Sequence, residues 1–167
     1  MPSTVLNRLV TPADLPLIEQ LHARVFGPGR FTRTAYRVRE GTPPISRYCR
    51  AALLGSRIIA AVRFTEVSVG DMGNALLLGP LAVDPEFAGK GFGRRLIGEA
   101  LEAAKGDGVR LVVLVGDEPY YGRFGFRPVP PGQITLPGPV DPRRLLASEL
   151  APGALSAYRG PVVAARA

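Results

Sequence analysis

Leu81-Ala82-Val83-Asp84-Pro85-Glu86-Phe87-Ala88-Gly89-Lys90-Gly91-Phe92-Gly93-Arg94-Arg95-Leu96 runs from an apolar triplet, across an Asp-Pro break, into glycines that alternate at 89, 91 and 93. The triplet reads as a strand end, and the residues after Gly93 read as a helix start. Glycine lets the backbone approach a ligand closely, and the first-turn N–H groups of a helix have no intrahelical acceptor and point along the positive end of the dipole. A diphosphate is the natural guest of such a turn, with Lys90, Arg94 and Arg95 supplying positive charge. Two other phosphate motifs fail. A dinucleotide fingerprint would need glycine at Arg94 or Leu96, and a P-loop would need Ser or Thr after Lys90, where Gly91 stands. The plain alternative is a strand-to-helix turn that simply needs glycine.

On the C-terminal side, Leu96, Ile97, Ala100, Leu101 and Ala104 recur at helical spacing and Gly106-Asp107-Gly108 ends the helix. Residues 109–115 form a continuous aliphatic run, the mark of a strand covered on both faces, so strand, helix and strand make a βαβ unit. On the N-terminal side, runs at 48–54, 58–69 and 75–83 are separated by Gly55-Ser56 and Gly70-Asp71-Met72-Gly73, which predicts an antiparallel meander. Pro80 cannot donate to a ladder, so pairing must be interrupted near it by an edge, a bulge or a divergence of strands.

The chain opens with a short strand at 5–10 and a helix announced by Thr11-Pro12-Ala13-Asp14 and stopped by Gly27-Pro28-Gly29. A second short helix and a loop are expected over 30–44. Beyond the βαβ unit the sequence predicts a proline-rich stretch to Pro139, a helix over about 141–150, and a last strand near 161–165.

At 167 residues and 46% hydrophobic, the chain is expected to be one domain, 1–167, with one sizeable core. Its apolar runs are too short to cross a membrane and its first ten residues lack the plan of a signal peptide, so a cytoplasmic protein without membrane contact is expected. The single cysteine, Cys49, allows no internal disulfide and reads as a small buried hydrophobe. A net charge of +7 favours polyanions, but the arginines are dispersed and not interleaved with aromatics, so nucleic acid is not the expected partner.

The stretch 81–96 resembles the coenzyme A loop of the GNAT superfamily of N-acetyltransferases, Gln/Arg-x-x-Gly-x-Gly/Ala after a Leu-Ala-Val-like strand end. Gly91 and Gly93 match the two small positions, while Ala88 stands where Gln or Arg is usual. Because that loop binds mainly through backbone N–H groups, the resemblance implies a weaker but intact site. Tyr120-Tyr121-Gly122-Arg123-Phe124-Gly125-Phe126 resembles the second signature of that family, a Tyr five residues before the Phe of Gly-Phe, which places Tyr121 as proton donor to the coenzyme sulfur.

The resemblance implies an α+β fold in three α/β/α layers, with a mixed, mostly antiparallel sheet and a splayed parallel strand pair. It implies acetyl-CoA as cosubstrate, bound by Leu81, Ala82, Val83, Ala88, Gly89, Lys90, Gly91, Phe92, Gly93, Arg94 and Tyr121, with pantetheine between the strands at 75–83 and 109–115. The expected activity is direct acetyl transfer to a primary amine of a small molecule or protein, with no metal. A homodimer is compatible with this reading. The alternative is a non-catalytic acyl-CoA-binding or nucleic-acid-binding module on the same fold.

No general base is assigned. Glu66 and Asp84 are the nearest acids, each more commonly a surface carboxylate, and His22, the single histidine, falls on the apolar face of the first helix as a packing residue. Arg30, Phe31, Arg33, Tyr36, Arg37 and Arg39 occupy the stretch where related proteins form an acceptor pocket, or else a solvated basic face.

Overall fold

In the computed structural model, residues 4–27 and 34–165 are described. The elements are β1 (Val5–Leu9), α1 (Leu15–Phe26), α2 (Thr34–Arg39), β2 (Arg50–Leu54), β3 (Arg57–Val69), β4 (Met72–Val83), α3 (Phe92–Gly106), β5 (Leu111–Val115), α4 (Glu118–Tyr121), β6 (Arg127–Pro128), β7 (Ile134–Thr135), β8 (Leu145–Glu149) and β9 (Gly160–Ala164). Among the described residues nine strands form one sheet, in the order β1-β2-β3-β4-β5-β8-β6, with β9 beside the far half of β3 and β7 beside β9.

The expected meander is present in β2, β3 and β4, which pair antiparallel in succession, and β1 adds antiparallel to the outer edge of β2. The α3 crossover then returns the chain to lay β5 parallel to β4. Alternation along the strands divides the core between the two faces. Leu76, Leu78, Val112 and Leu114 pack with Leu96, Ile97 and Ala100 of α3. Leu77, Leu111 and Val113 pack on the opposite face with Val38 of α2 and Tyr158. Leu21 of α1 joins Ala51, Ala61 and Ala82 in a third cluster. This is the three-layer arrangement expected, and β5 is covered on both faces as its unbroken aliphatic run requires. Leu96 and Ile97, with no exposed surface, contribute roughly 1.5–3 kcal/mol each.

One element is not what its sequence predicts. The helix expected over 141–150 is a single 3-10 turn, Pro142–Arg144, followed by strand β8. Leu, Ala and Glu favour helix, but the only open edge beside β5 is filled by pairing Leu145–Glu149 antiparallel to Leu111–Val115, and four of those five residues become buried. Burial outweighs a propensity worth only tenths of a kcal/mol per residue. The two-residue strands β6 and β7 are too short to leave a periodic signal.

The break expected at Pro80 is a bulge. Val62 pairs with Leu81 and Phe64 with Leu78, so Gly79-Pro80 inserts an extra residue into β4.

Candidate active site

The glycine turn enters α3 at Gly91, whose φ of +83° is left-handed. A β-branched residue is strained there. Arg95 N–H donates to Gly91 O at 3.1 Å. The N–H groups of Phe92, Gly93 and Arg94 therefore precede the helical ladder and face outward. Nη2 of Arg94 and of Arg95 lie 3.6 and 3.7 Å from where a Cβ on Gly91 would sit. Arg95 is held back by Lys90 O at 3.0 Å and by the Phe92 ring at 5.0 Å. Ala88, by contrast, spends its N–H on Pro85 O at 3.3 Å, closing the 3-10 turn Pro85–Phe87. The amides available to an anion thus begin after Ala88.

Just before the bulge, β4 leaves β5. Their pairing covers only Ala75–Leu111, Leu76–Val112 and Leu77–Val113. Asp84 N–H donates across to Ile59 O on β3 at 2.8 Å. Because successive residues of a strand turn their backbone groups to opposite sides, Ala82 also faces β3, while Leu81 and Val83 present N–H and C=O to the gap. Of the triplet singled out in the sequence, the first and third residues have backbone groups to offer a ligand, and the second has none.

The gap opens into a cleft of about 870 Å³ that Gly79, Pro80, Leu81, Val115, Gly116 and Tyr121 line. Tyr121, at the end of α4, lays its ring on Gly116, where an added Cβ would stand 2.6 Å from Cε2. It meets Phe126 edge-on at 6.0 Å between centroids. Burial, with smaller contributions from Tyr120 and Asp117, pushes its phenol up to about 12 against an opposing pull from Arg144. Tyr120 is placed differently: its hydroxyl lies 3.1 Å from a Cβ built on Gly93, beside Val83 and Leu81.

The cleft also gathers charged side chains, among them Arg39 of the stretch considered for acceptor binding and His22, read from the sequence as a packing residue; Glu19, Arg63, Asp117 and Arg144 carried no signal in the sequence. From α1 come Glu19 and His22, from α2 Arg39, from β3 Arg63, and from the segments after β5 Asp117 and Arg144. They are scattered over the chain, and only the fold brings them together. His22 does pack, against Phe26 at 5.8 Å, and it lines the cleft as well. Cys49 is buried as expected and forms part of the cleft floor. Glu66 is exposed and lies off the cleft. Of the basic and aromatic stretch considered for acceptor binding, Arg30, Phe31 and Arg33 lie outside the described residues, as does the side chain of Tyr36. Arg37 is exposed and reaches Pro137 O at 3.3 Å.

Asp84 is buried at the junction of β4 and the turn. Its burial opposes ionisation, but the Glu86 amide and the guanidinium groups of Arg57 and Arg24 outweigh it and hold the carboxyl below its usual range. A carboxylate so held is a poor base at neutral pH.

Residues 15–126 match the acetyltransferase (GNAT) family. This chain belongs to the GNAT family of acetyltransferases. Among curated proteins, this GNAT chain is 31% identical over 127 residues to YhbS of Escherichia coli K12, an uncharacterized N-acetyltransferase, with 73% of each chain covered. It is 32% identical over 122 residues to the uncharacterized N-acetyltransferase YjhQ of the same strain, covering 70% of this chain and 66% of that one. The crystal structure of E. coli YhbS in complex with CoA superposes with a TM-score of 0.82 at 27% identity, covering 99% of this chain and 92% of that one. A GNAT acetyltransferase from Brucella melitensis in complex with acetyl-CoA gives 0.64 at 26% identity, over 87% and 96% of the two chains. The GNAT fold read from the loop and the splayed strands is borne out. Among the described residues, no helix is long and apolar enough to cross a membrane.

Proposed function

We propose that the protein transfers acetyl from acetyl-CoA directly to a primary amine, and that the cleft between β4 and β5 is where transfer takes place. The observation that carries this reading is one arrangement: the parallel pair stops at Leu77 and Val113, the glycine turn follows the end of β4, and Tyr121 stands beyond the end of β5. Two structures of similar proteins hold CoA and acetyl-CoA, which supports the same ligand here.

The residues present fit such a ligand. Phe92, Gly93 and Arg94 amides receive the diphosphate, with Lys90, Arg94 and Arg95 adding charge. Leu81 and Val83 offer donors and acceptors to the pantetheine amides and to the thioester carbonyl, where fixed dipoles help most as charge develops. Acetyl-CoA supplies an activated thioester. Tyr121 holds a proton at Oη for the departing sulfur. The burial that raises the phenol also raises the basicity of a thiolate formed beside it, which offsets the weaker acidity of the phenol. The lone, buried thiol of Cys49 suits a reducing compartment, and we place the protein in the cytoplasm.

The test is calorimetric titration with acetyl-CoA together with a thiol-release assay over a panel of primary amines. Binding with amine-dependent CoA release is expected. Binding without release from any amine contradicts the enzymatic reading and leaves a coenzyme-binding module.

A further inference from the structure

Asp84 is only 4% exposed, yet it touches three separate parts of the molecule. Its Oδ2 accepts from Arg24 Nη2 of α1 at 3.0 Å and from Arg57 Nη2 at the start of β3 at 3.0 Å. Its Oδ1 accepts from Glu86 N at 3.0 Å, capping the 3-10 turn that leads to the glycines. Arg57 extends the contact, reaching Glu86 Oε2 at 2.8 Å and lying over the Phe87 ring at 5.2 Å. Phe87 in turn meets Phe92, the first residue of α3, edge-on at 6.2 Å between centroids, and carries Lys90 Nζ at 5.8 Å on its ring. A continuous set of contacts therefore runs from α1 and β3, through one carboxylate, to the amides that open α3. Arg24 sits on the same helix as Glu19 and His22 of the cleft wall.

We propose that Asp84 is a positioning residue for the diphosphate turn, holding the first-turn amides of α3 in register with the sheet and with the α1 wall of the cleft. The inference rests on the assignment of the turn to acetyl-CoA. Asp84 touches no part of the ligand itself. It acts through Glu86, Arg57 and Phe87, and the two guanidinium groups neutralise it so that its own charge does not repel the diphosphate.

The experiment compares affinities for acetyl-CoA and for S-acetylpantetheine, which carries the same thioester without the diphosphate. Asp84→Asn keeps the shape and loses the charge that both arginines require. It is expected to weaken acetyl-CoA binding by about tenfold or more, since a displaced binding frame loses much of its advantage, and to leave S-acetylpantetheine unchanged. Asp14→Asn is the control. Asp14 is another buried, arginine-paired aspartate, at the start of α1 and away from the turn. It should lower stability and move neither affinity. Should Asp84→Asn fail to fold, Arg24→Gln, whose side chain is 51% exposed, is expected to show the same selective loss at a few-fold size. Acetyl-CoA affinity equal to or above that of the parent overturns the proposal, as does an equal loss for both ligands. Failure of the parent to bind acetyl-CoA at all is a different result, and it removes the functional reading first.

Discussion

The rings of Tyr120 and Tyr121 meet edge to face with centroids 4.8 Å apart, yet the two residues serve different parts of the site. Tyr121 lines the cleft against Gly116, while the Tyr120 hydroxyl stands against Gly93 at the start of α3, with Arg123 over its ring at 5.5 Å. Tyr120→Phe should therefore raise the KM for acetyl-CoA several-fold and leave kcat within about threefold of the parent, the pattern of lost binding without lost chemistry. Steady-state kinetics with varied acetyl-CoA reads this directly.

A phenol pushed up to about 12 remains protonated throughout any ordinary assay. A group required in its protonated form limits the rate only as pH rises through its own pKa, so Tyr121 should impose no loss below about pH 11. The amine, which must be neutral to attack, titrates near 10.4 if lysine-like. The ratio kcat/KM should climb from about pH 6 to about pH 10 without a descending limb. A fall in that interval on a stable enzyme contradicts a required phenol raised to about 12.

Gly91→Val places a β-branched side chain at a φ of +83° and at the mouth of the turn. The strain costs on the order of 1–3 kcal/mol, and the side chain obstructs approach to the Phe92, Gly93 and Arg94 amides. Most acetyl-CoA affinity should be lost while the cooperative unfolding transition is retained. Calorimetry and urea denaturation on the same preparation separate the two effects.

Asp14 accepts from Arg8 through both oxygens at 2.7 and 2.8 Å and from the Thr11 amide at 2.8 Å, and its carboxyl is lowered to about 2. The Arg8 hydrogen bond is the largest cause, with burial opposing. A carboxyl depressed in the folded state stabilises it at pH values above the unfolded pKa, about 3.9, and that stability is lost as pH falls through the folded value. Asp14→Asn should cost about 1–2 kcal/mol at neutral pH, allowing for solvent around Arg8, and the difference should shrink between about pH 4 and pH 2. Urea unfolding of both proteins across that range measures it.

The parts of the fold legible in the sequence are those where local chemistry and tertiary demand agree. Gly91 and Gly93 sit at a strand-to-helix turn that needs them, 109–115 is aliphatic because β5 is covered twice, and Pro80 marks the bulge that frees Leu81 and Val83. Legibility ends where contacts are long-range. Leu145–Glu149 reads as helix and becomes strand β8 because of an open edge supplied by a distant segment. The Arg24–Asp84–Arg57 cluster joins residues 60 and 27 positions apart, a spacing that leaves no local pattern. The same holds for His22, whose helical face predicts packing and whose place on the cleft wall depends on where α1 lies against β3 and β4.

The most direct measurement is single-turnover acetyl transfer by Tyr121→Phe on an amine for which the chemical step limits the parent. The substitution keeps the ring on Gly116 and removes only the hydroxyl. The rate should fall by about 100-fold or more with the acetyl-CoA dissociation constant unchanged, the lower end of what one positioned acid contributes. A rate within about threefold of the parent contradicts the account and assigns the proton to water.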